Sequence, residues 1–296
     1  MRGFTQIWVY ARKFYRTQQR DSLISIIMGI VIAGVVVWIT GEDMFTTYES
    51  TKFGFFSLVS ACIWIGIFNS IQLICREKND IVKDELDKGL YASSYVAAHF
   101  TFQLLLCFLQ SIIMMLIYWN KIDFPKDGLI FGRSFFDYFV TVFLIIYAAD
   151  ALALIISAAV STPVIAMTVM PLVLIIQLVM SGVLFSLSGA ANKIASLTIS
   201  KWGMAAMGSI GDLNSHELPS SIVLAYPDFQ FPYRKNEGIY QSTEKHLLTV
   251  WLILLAFILI SYLVSVIALK YTTRKLTIIS EALHFRLFLT VYMPFL

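Results

Sequence analysis

The sequence predicts an all-α membrane protein, a bundle of six transmembrane helices, and three observations lead there. Of the 296 residues 58% are hydrophobic and only 14% charged, and mean hydropathy is +0.76, an apolar excess that no soluble core absorbs. Six segments reach or approach the ~20 apolar residues that cross a ~30 Å hydrocarbon layer. These segments are continuous runs, as from Ile24 to Ile32, whereas a transmembrane barrel needs short strands that alternate apolar and polar residues.

Phe4, Ile7, Trp8, Ala11, Phe14 and Tyr15 recur at three- and four-residue spacing, with Arg12, Lys13, Arg16 and Arg20 mostly on other faces. This pattern predicts an amphipathic helix over 1–22, lying on the inner membrane surface as a lipid anchor or touching a cytoplasmic partner as well. The first span, 23–40, is too long for a cleavable signal and lacks a small-residue cleavage pattern. Span two covers 53–75.

A loop at 76–94 then mixes charges of both signs, Arg76, Glu77, Lys78, Asp80, Lys83, Asp84, Glu85, Asp87 and Lys88, with Ile81, Val82, Leu86 and Leu90 at near-helical spacing. It reads as a short cytoplasmic helix ending near Gly89, and its charges alone are equally consistent with a solvated face. Spans three and four, 95–119 and 136–160, follow. Ser161, Thr162 and Pro163 make a tight turn in which a hydroxyl caps and Pro163 opens span five, 164–187, so spans four and five must be antiparallel neighbours.

The segment 188–246 is too long for a simple turn. Its moderately apolar stretch from Ala190 to Ile210 is too weak to span and reads as one or two re-entrant helices packed on protein, with the Pro- and aromatic-rich remainder as an external cap. Span six, 247–269, leads to a tail at 270–296. The domain division is therefore a connecting helix at 1–22, a membrane domain at 23–269 and the tail.

Lysine and arginine crowd the N-terminal arm, the 76–94 loop and the tail, which places both termini in the cytoplasm. The net charge of +3 follows from that asymmetry and calls for no nucleic-acid partner. Cys62 and Cys107 fall within spans and Cys75 at the cytoplasmic edge, so no external disulfide is expected. With no Asn-x-Ser/Thr sequon in so long an external loop, the expected location is a bacterial plasma membrane.

The sequence has no G-x-x-x-x-G-K-[ST] phosphate loop, H-E-x-x-H, C-x-x-C or G-x-S-x-G, so it carries no motif for hydrolysing ATP. The scattered His99, His216, His246 and His284 argue against a metal site. Asp150 lies well inside span four, where a carboxylate is expensive. Structural hydrogen bonding, a cavity wall and proton coupling are the readings it leaves open.

Taken in order, these features resemble the transmembrane domain of ABC exporters of the G subfamily over almost the whole chain. In that family the connecting helix ends in Arg-Asp, matched by Arg20 and Asp21. The first cytoplasmic loop carries Glu-Arg, Arg-Glu, Gly-x-Tyr and Ser-Tyr, matched by Arg76–Glu77–Lys78, Asp84–Glu85, Gly89–Leu90–Tyr91 and Ser94–Tyr95. Asp84 stands where the family often has Arg, and Glu77 is about one residue out of register. Ser157–Ala158, Pro171, Gln177, Ser181 to Leu184 and Lys201 to Met204 echo the family further on.

The resemblance implies a permease subunit, not itself an enzyme, that pairs with a second membrane subunit and binds two ATPase subunits, which would hold ATP and Mg; the chain itself needs no cofactor. It implies coupling through Arg16, Arg20, Glu77, Glu85, Gly89 and Tyr91. It also implies a cavity lined by Trp64, Phe68, Asn69 and Gln177, closed outward by an apolar plug at Val183 and Leu184. Ordinary helix packing is the competing reading for those apolar positions. A secondary transporter or channel without ATP, and a non-transporting scaffold, are the alternatives. An apolar cavity suits lipid, peptide or hydrophobic drug.

Overall fold

The computed structural model describes residues 3–40, 42–78, 80–81, 91–185, 187–215 and 238–292. Helix is the dominant element, because lipid offers backbone groups no partner and only intrahelical bonding satisfies them locally. Helix α1 (Gly3–Thr17) and α2 (Gln19–Thr40) are joined through Gln18. A 3₁₀ turn (Glu42–Phe45) leads to α3 (Tyr48–Ser70), followed by the single turn α4 (Leu73–Arg76). Next come α5 (Ala92–Trp119), α6 (Ser134–Ala159) and α7 (Pro163–Val179). Two short helices, α8 (Gly189–Ala195) and α9 (Ile199–Ile210), precede the long α10 (Glu244–Tyr292).

Among the described residues, five helical stretches, Gln19–Thr40, Tyr48–Arg76, Ala92–Trp119, Ser134–Ala159 and Glu244–Arg274, are long and apolar enough to cross a membrane. The predicted fifth span differs: α7 has only 17 residues, and at 1.5 Å per residue that is about 25 Å. Its start follows the expected chemistry, with Thr162 as N-cap, its hydroxyl accepting Ile165 N–H at 3.4 Å, and Pro163 in the first turn. Its end does not reach Leu187. The helix stops at Val179, and Gly182 follows at φ 79°, a conformation an L side chain resists. The last helix likewise runs unbroken through the predicted span end at Leu269 to Tyr292.

Helix α6 is the centre of the bundle, with α3 on one side and α10 on another. Gly66 lets α3 approach: a Cβ there would lie 2.7 Å from Ala149 Cβ and 2.9 Å from Asp150 N. Small residues at such a contact replace the hydrophobic drive that lipid cannot supply. On the α10 side, Trp251 Nε1 donates to Thr141 Oγ1 at 2.9 Å.

The stretch expected to be re-entrant folds into α8 and α9, and from Gly203 to Ile210 every residue of α9 is buried. It wedges among α3, α6 and α10: Gly203 faces Ile145 and Val59, and Gly208 faces Tyr240. The 124–137 region is organised by Asp137, whose carboxylate accepts the backbone N–H groups of Leu129, Ile130 and Phe131 at 2.5, 3.1 and 3.2 Å. Of the five membrane-length helices α2 is the least covered, burying only Gly29, Ala33 and Val37 along a narrow seam.

Candidate functional site

Two places gather most of the predicted residues: the end of the bundle at α1 and the start of α5, and a cavity between α2, α3 and α5. At the first, α1 lies against α5 through aromatic side chains. Phe14 stacks on His99 at 4.0 Å between centroids and meets Tyr95 edge-on at 5.6 Å, while Tyr10 meets Tyr95 at 5.7 Å. Gln6 Oε1 accepts the backbone N–H of Tyr91 at 3.2 Å. The opposite face of α1, with Phe4, Trp8, Arg12 and Arg16, is exposed.

Of the residues expected to couple to an ATPase, four lie together around this end. Glu77 Oε2 accepts the Tyr95 hydroxyl at 2.6 Å. Tyr91 is exposed beside the start of α5, and Arg16 and Arg20 project from α1 and the first turn of α2. Asp21, from the Arg20–Asp21 pair, binds Arg76 at 3.5 Å with both side chains about half exposed (53% and 54%), so this ion pair contributes little stability and mainly registers α2 against α4. Glu85 and Gly89 lie outside the described residues.

Lys78, which the sequence offered only as one charge among many, is 2% exposed. Its ammonium donates to the backbone carbonyls of Ala158, at 2.7 Å, and Val160, the orphan acceptors at the end of α6. A cation there also meets the negative end of the helix dipole. Burial lowers its pKa from the usual 10.5 to about 8. Ser157, one turn back, accepts the N–H groups of Ile74 and Cys75 at 3.0 and 3.1 Å, so α6 caps the start of α4 as Lys78 caps α6.

The cavity holds about 290 Å³ and is lined by Ser25, Met28, Phe68, Asn69, Gln103 and Met167 among others. Its polar wall is an amide cluster. Asn69 Nδ2 donates to Gln110 Oε1 at 2.8 Å, Gln110 Nε2 returns a bond to Asn69 Oδ1 at 3.1 Å, and Ser25 Oγ donates to the same oxygen. Behind it, Gln103 Nε2 donates to Ser70 Oγ at 2.6 Å, and Ser70 Oγ donates to Asp150 Oδ1. Gln103 Oε1 and Asp150 Oδ2 accept no hydrogen bond among the described residues. Asp150 is thus fully buried in the α3–α6–α5 junction, one layer behind the cavity wall.

The remaining predicted positions separate. Trp64 and Phe68, one turn apart and 38% and 37% exposed, form an aromatic pair with centroids 6.1 Å apart. Gln177 is turned away from that pair: it is buried, and its Oε1 accepts the N–H of Ser200 at 3.1 Å, holding α9 against α7. Val183 and Leu184 belong to the turn after α7. Val183 lines a second cavity of about 640 Å³ with Lys52, Gly182, Trp202 and Tyr240, whereas Leu184 is 46% exposed. Lys201, also on that wall, spends its donors on Asn192 and Ser196, and burial lowers its pKa.

Chemically, the cavity beside Asn69 suits an amphipathic guest: aliphatic and thioether side chains for the apolar part, amide and hydroxyl groups for a hydrogen-bonding part. Among the described residues no three His, Cys, Asp or Glu side chains converge as a metal would require. No curated protein matches the chain. The family model described as "ABC-2 type transporter" matches residues 5–208, more than two thirds of the chain, from α1 through the buried α9. The chain belongs to the ABC-2 type transporter family and is a type-2 ABC permease transmembrane domain.

Proposed function

We propose that this permease is the membrane half of an exporter that moves an amphipathic or hydrophobic substrate outward across a bacterial plasma membrane, driven by ATPase subunits on separate chains. The observation that carries this reading is the conjunction of the family match with a sequence free of any phosphate-binding loop. In this reading energy enters from a partner, and the aromatic and basic end formed by α1, Glu77 and Tyr91 is the surface for it.

A second membrane subunit, identical or related, completes the path. Helix α2 leaves Leu23, Ile27, Val31 and Trp38 exposed, and α7 leaves Val164, Leu172 and Ile176 exposed, so both helices have apolar faces for a neighbour or lipid. In this reading the cavity beside Asn69 and Gln103 receives substrate from the inner leaflet, and the turn with Val183 and Leu184 closes the outer end.

Affinity capture of the tagged chain from native membranes in mild detergent tests the proposal. An ATPase with nucleotide-binding-cassette motifs should co-purify in stoichiometric amount and be lost on Tyr91→Ala with Arg16→Ala. Stoichiometric recovery of the membrane chain with no ATPase, under conditions that keep it folded, would favour a transporter working without ATP.

A further inference from the structure

The segment that leaves α4 toward the charged loop is tied to the bundle at two described points. Glu77 binds Tyr95 at the start of α5. Lys78 binds the carbonyls of Ala158 and Val160 at the end of α6. The second tie is the unusual one. An ammonium that is 2% exposed has no carboxylate within ion-pair distance among the described residues. Burying it costs free energy that two carbonyls and a helix end only partly return. A solvated helix end needs no such residue, since water or a glycine satisfies its carbonyls.

What the arrangement provides is a stiff connection. Its donor sits two residues past α4, in a helical turn at the start of the 76–94 loop, where Ile81 N–H donates to the Glu77 carbonyl at 2.9 Å. Its acceptors sit where α6 hands over to α7 through a three-residue turn, Val160 to Thr162. Helix α7 is a single helix of 17 residues with Pro171 in its interior, and the turn with Val183 and Leu184 follows its far end. Thr272 of α10 shares its hydroxyl proton between Ala268 of its own helix at 2.7 Å and the same Ala158 carbonyl at 3.2 Å, so α10 adds only a weak second contact at the α6 end.

We propose that Lys78 is the strut of the coupling path: a positioning residue that passes displacement of the cytoplasmic loop to the α6–α7 hairpin, and through α7 to the outer turn. The inference rests on the functional reading above, because it presumes an ATPase that moves the loop. It does not require Lys78 to touch nucleotide or substrate. Removing the ammonium should leave the bundle assembled and the ATPase docked, yet let the loop move without the hairpin.

The test follows the outer side while ATP acts on the inner side. A nitroxide on Leu197→Cys, in the exposed turn between α8 and α9 (75% exposed), reports the distance between two subunits in the complete complex in nanodiscs, with ADP or with ATP and vanadate. The three native cysteines are buried and should not label. The parent complex should show a nucleotide-dependent change. In Lys78→Met the ATP hydrolysis rate should stay within about twofold while the amplitude of that change falls by about threefold or more, and Lys78→Arg should restore most of it.

Thr272→Val, which removes the other donor to Ala158 without touching the loop, should keep the full amplitude. If Lys78→Met does not assemble, Lys78→Gln, which keeps N–H donors but not the charge, takes its place in the same comparison. An unchanged amplitude in an assembled, charge-free variant overturns the proposal. So does a loss of amplitude and hydrolysis in equal proportion with no recovery in Lys78→Arg. A parent complex with no nucleotide response would instead defeat the functional reading, and this inference with it.

Discussion

Gly66→Ala is the substitution whose consequence the structure fixes best, because two effects of opposite sign can be weighed. Alanine is the better helix former in a helix interior by about 1 kcal/mol. Against this, the new Cβ would lie 2.7 Å from Ala149 Cβ and 2.9 Å from Asp150 N, where carbon atoms prefer about 3.5–4.0 Å. Helices α3 and α6 must part by about 1 Å, and overpacking of this kind costs about 1–3 kcal/mol. Parting them also stretches the bond from Ser70, one turn on, to Asp150, which adds about 1 kcal/mol. The net expectation is destabilisation by about 1–3 kcal/mol.

Gly34 supplies the control. It lies on α2 with nothing within 4 Å of a Cβ, so Gly34→Ala should be neutral or stabilising by up to about 1 kcal/mol. Reversible unfolding in mixed micelles, titrated with dodecyl sulfate and followed by tryptophan fluorescence, gives both values on one scale. A Gly66→Ala variant as stable as Gly34→Ala would refute the close α3–α6 packing and the placement of Asp150 that depends on it.

Asn69→Leu should cost about 1–3 kcal/mol in the same assay, since it strands Gln110 and Ser25 in an apolar setting; a neutral result would dissolve the amide cluster. Asp150→Asn keeps an acceptor for Ser70 and should stay within about 1 kcal/mol of the parent with ATP-driven activity retained, whereas Asp150→Leu should cost about 1–3 kcal/mol. A well-folded Asp150→Asn without activity would point to proton coupling. The Lys78 ammonium, lowered by burial to about 8 from 10.5, is held more weakly in the folded chain than in the unfolded one. Stability should therefore rise with pH between about 8 and 10.5, by roughly 1–3 kcal/mol, and Lys78→Met should flatten that rise. At the outer turn, Leu184→Ala and Val183→Ala should raise uncoupled ATP hydrolysis roughly tenfold if the apolar contact holds the exit shut, with Leu259→Ala, on the exposed face of α10, as the control that should not.

The spans were legible because hydropathy reports the solvent a helix needs, and their errors have the same origin. Val183, Leu184 and Phe185 extend the apolar run of span five, yet the backbone leaves the helix at Val179; the signal that could have located the end is Gly182, a helix-ending glycine inside an apolar run. Conversely, the charges after Leu269 end the hydropathy signal while α10 continues through them. Asp150 was singled out because a carboxylate in an apolar run is conspicuous. Its partner Ser70, and Gln103 that donates to Ser70, far away in sequence, were not, since a single sequence does not show which helix faces meet. Asn69 was expected at a cavity, and it does line one, but through an amide lock with Gln110 on a neighbouring helix that no spacing announces. Lys78 sat in a run of nine charges where one buried cation looks like any solvated one, and only its geometry against Ala158 and Val160 separates it.

If this permease works with an ATPase carried on another chain, ATP hydrolysis in liposomes will distinguish three preparations: the purified permease alone, its co-purifying ATPase alone, and the two together. The permease alone should hydrolyse nothing, and the reconstituted complex should hydrolyse ATP at a rate different from the free ATPase and lose that difference on Tyr91→Ala with Arg16→Ala. Hydrolysis by the rigorously purified permease, or an ATPase that neither binds it nor changes its rate in its presence, would contradict the account.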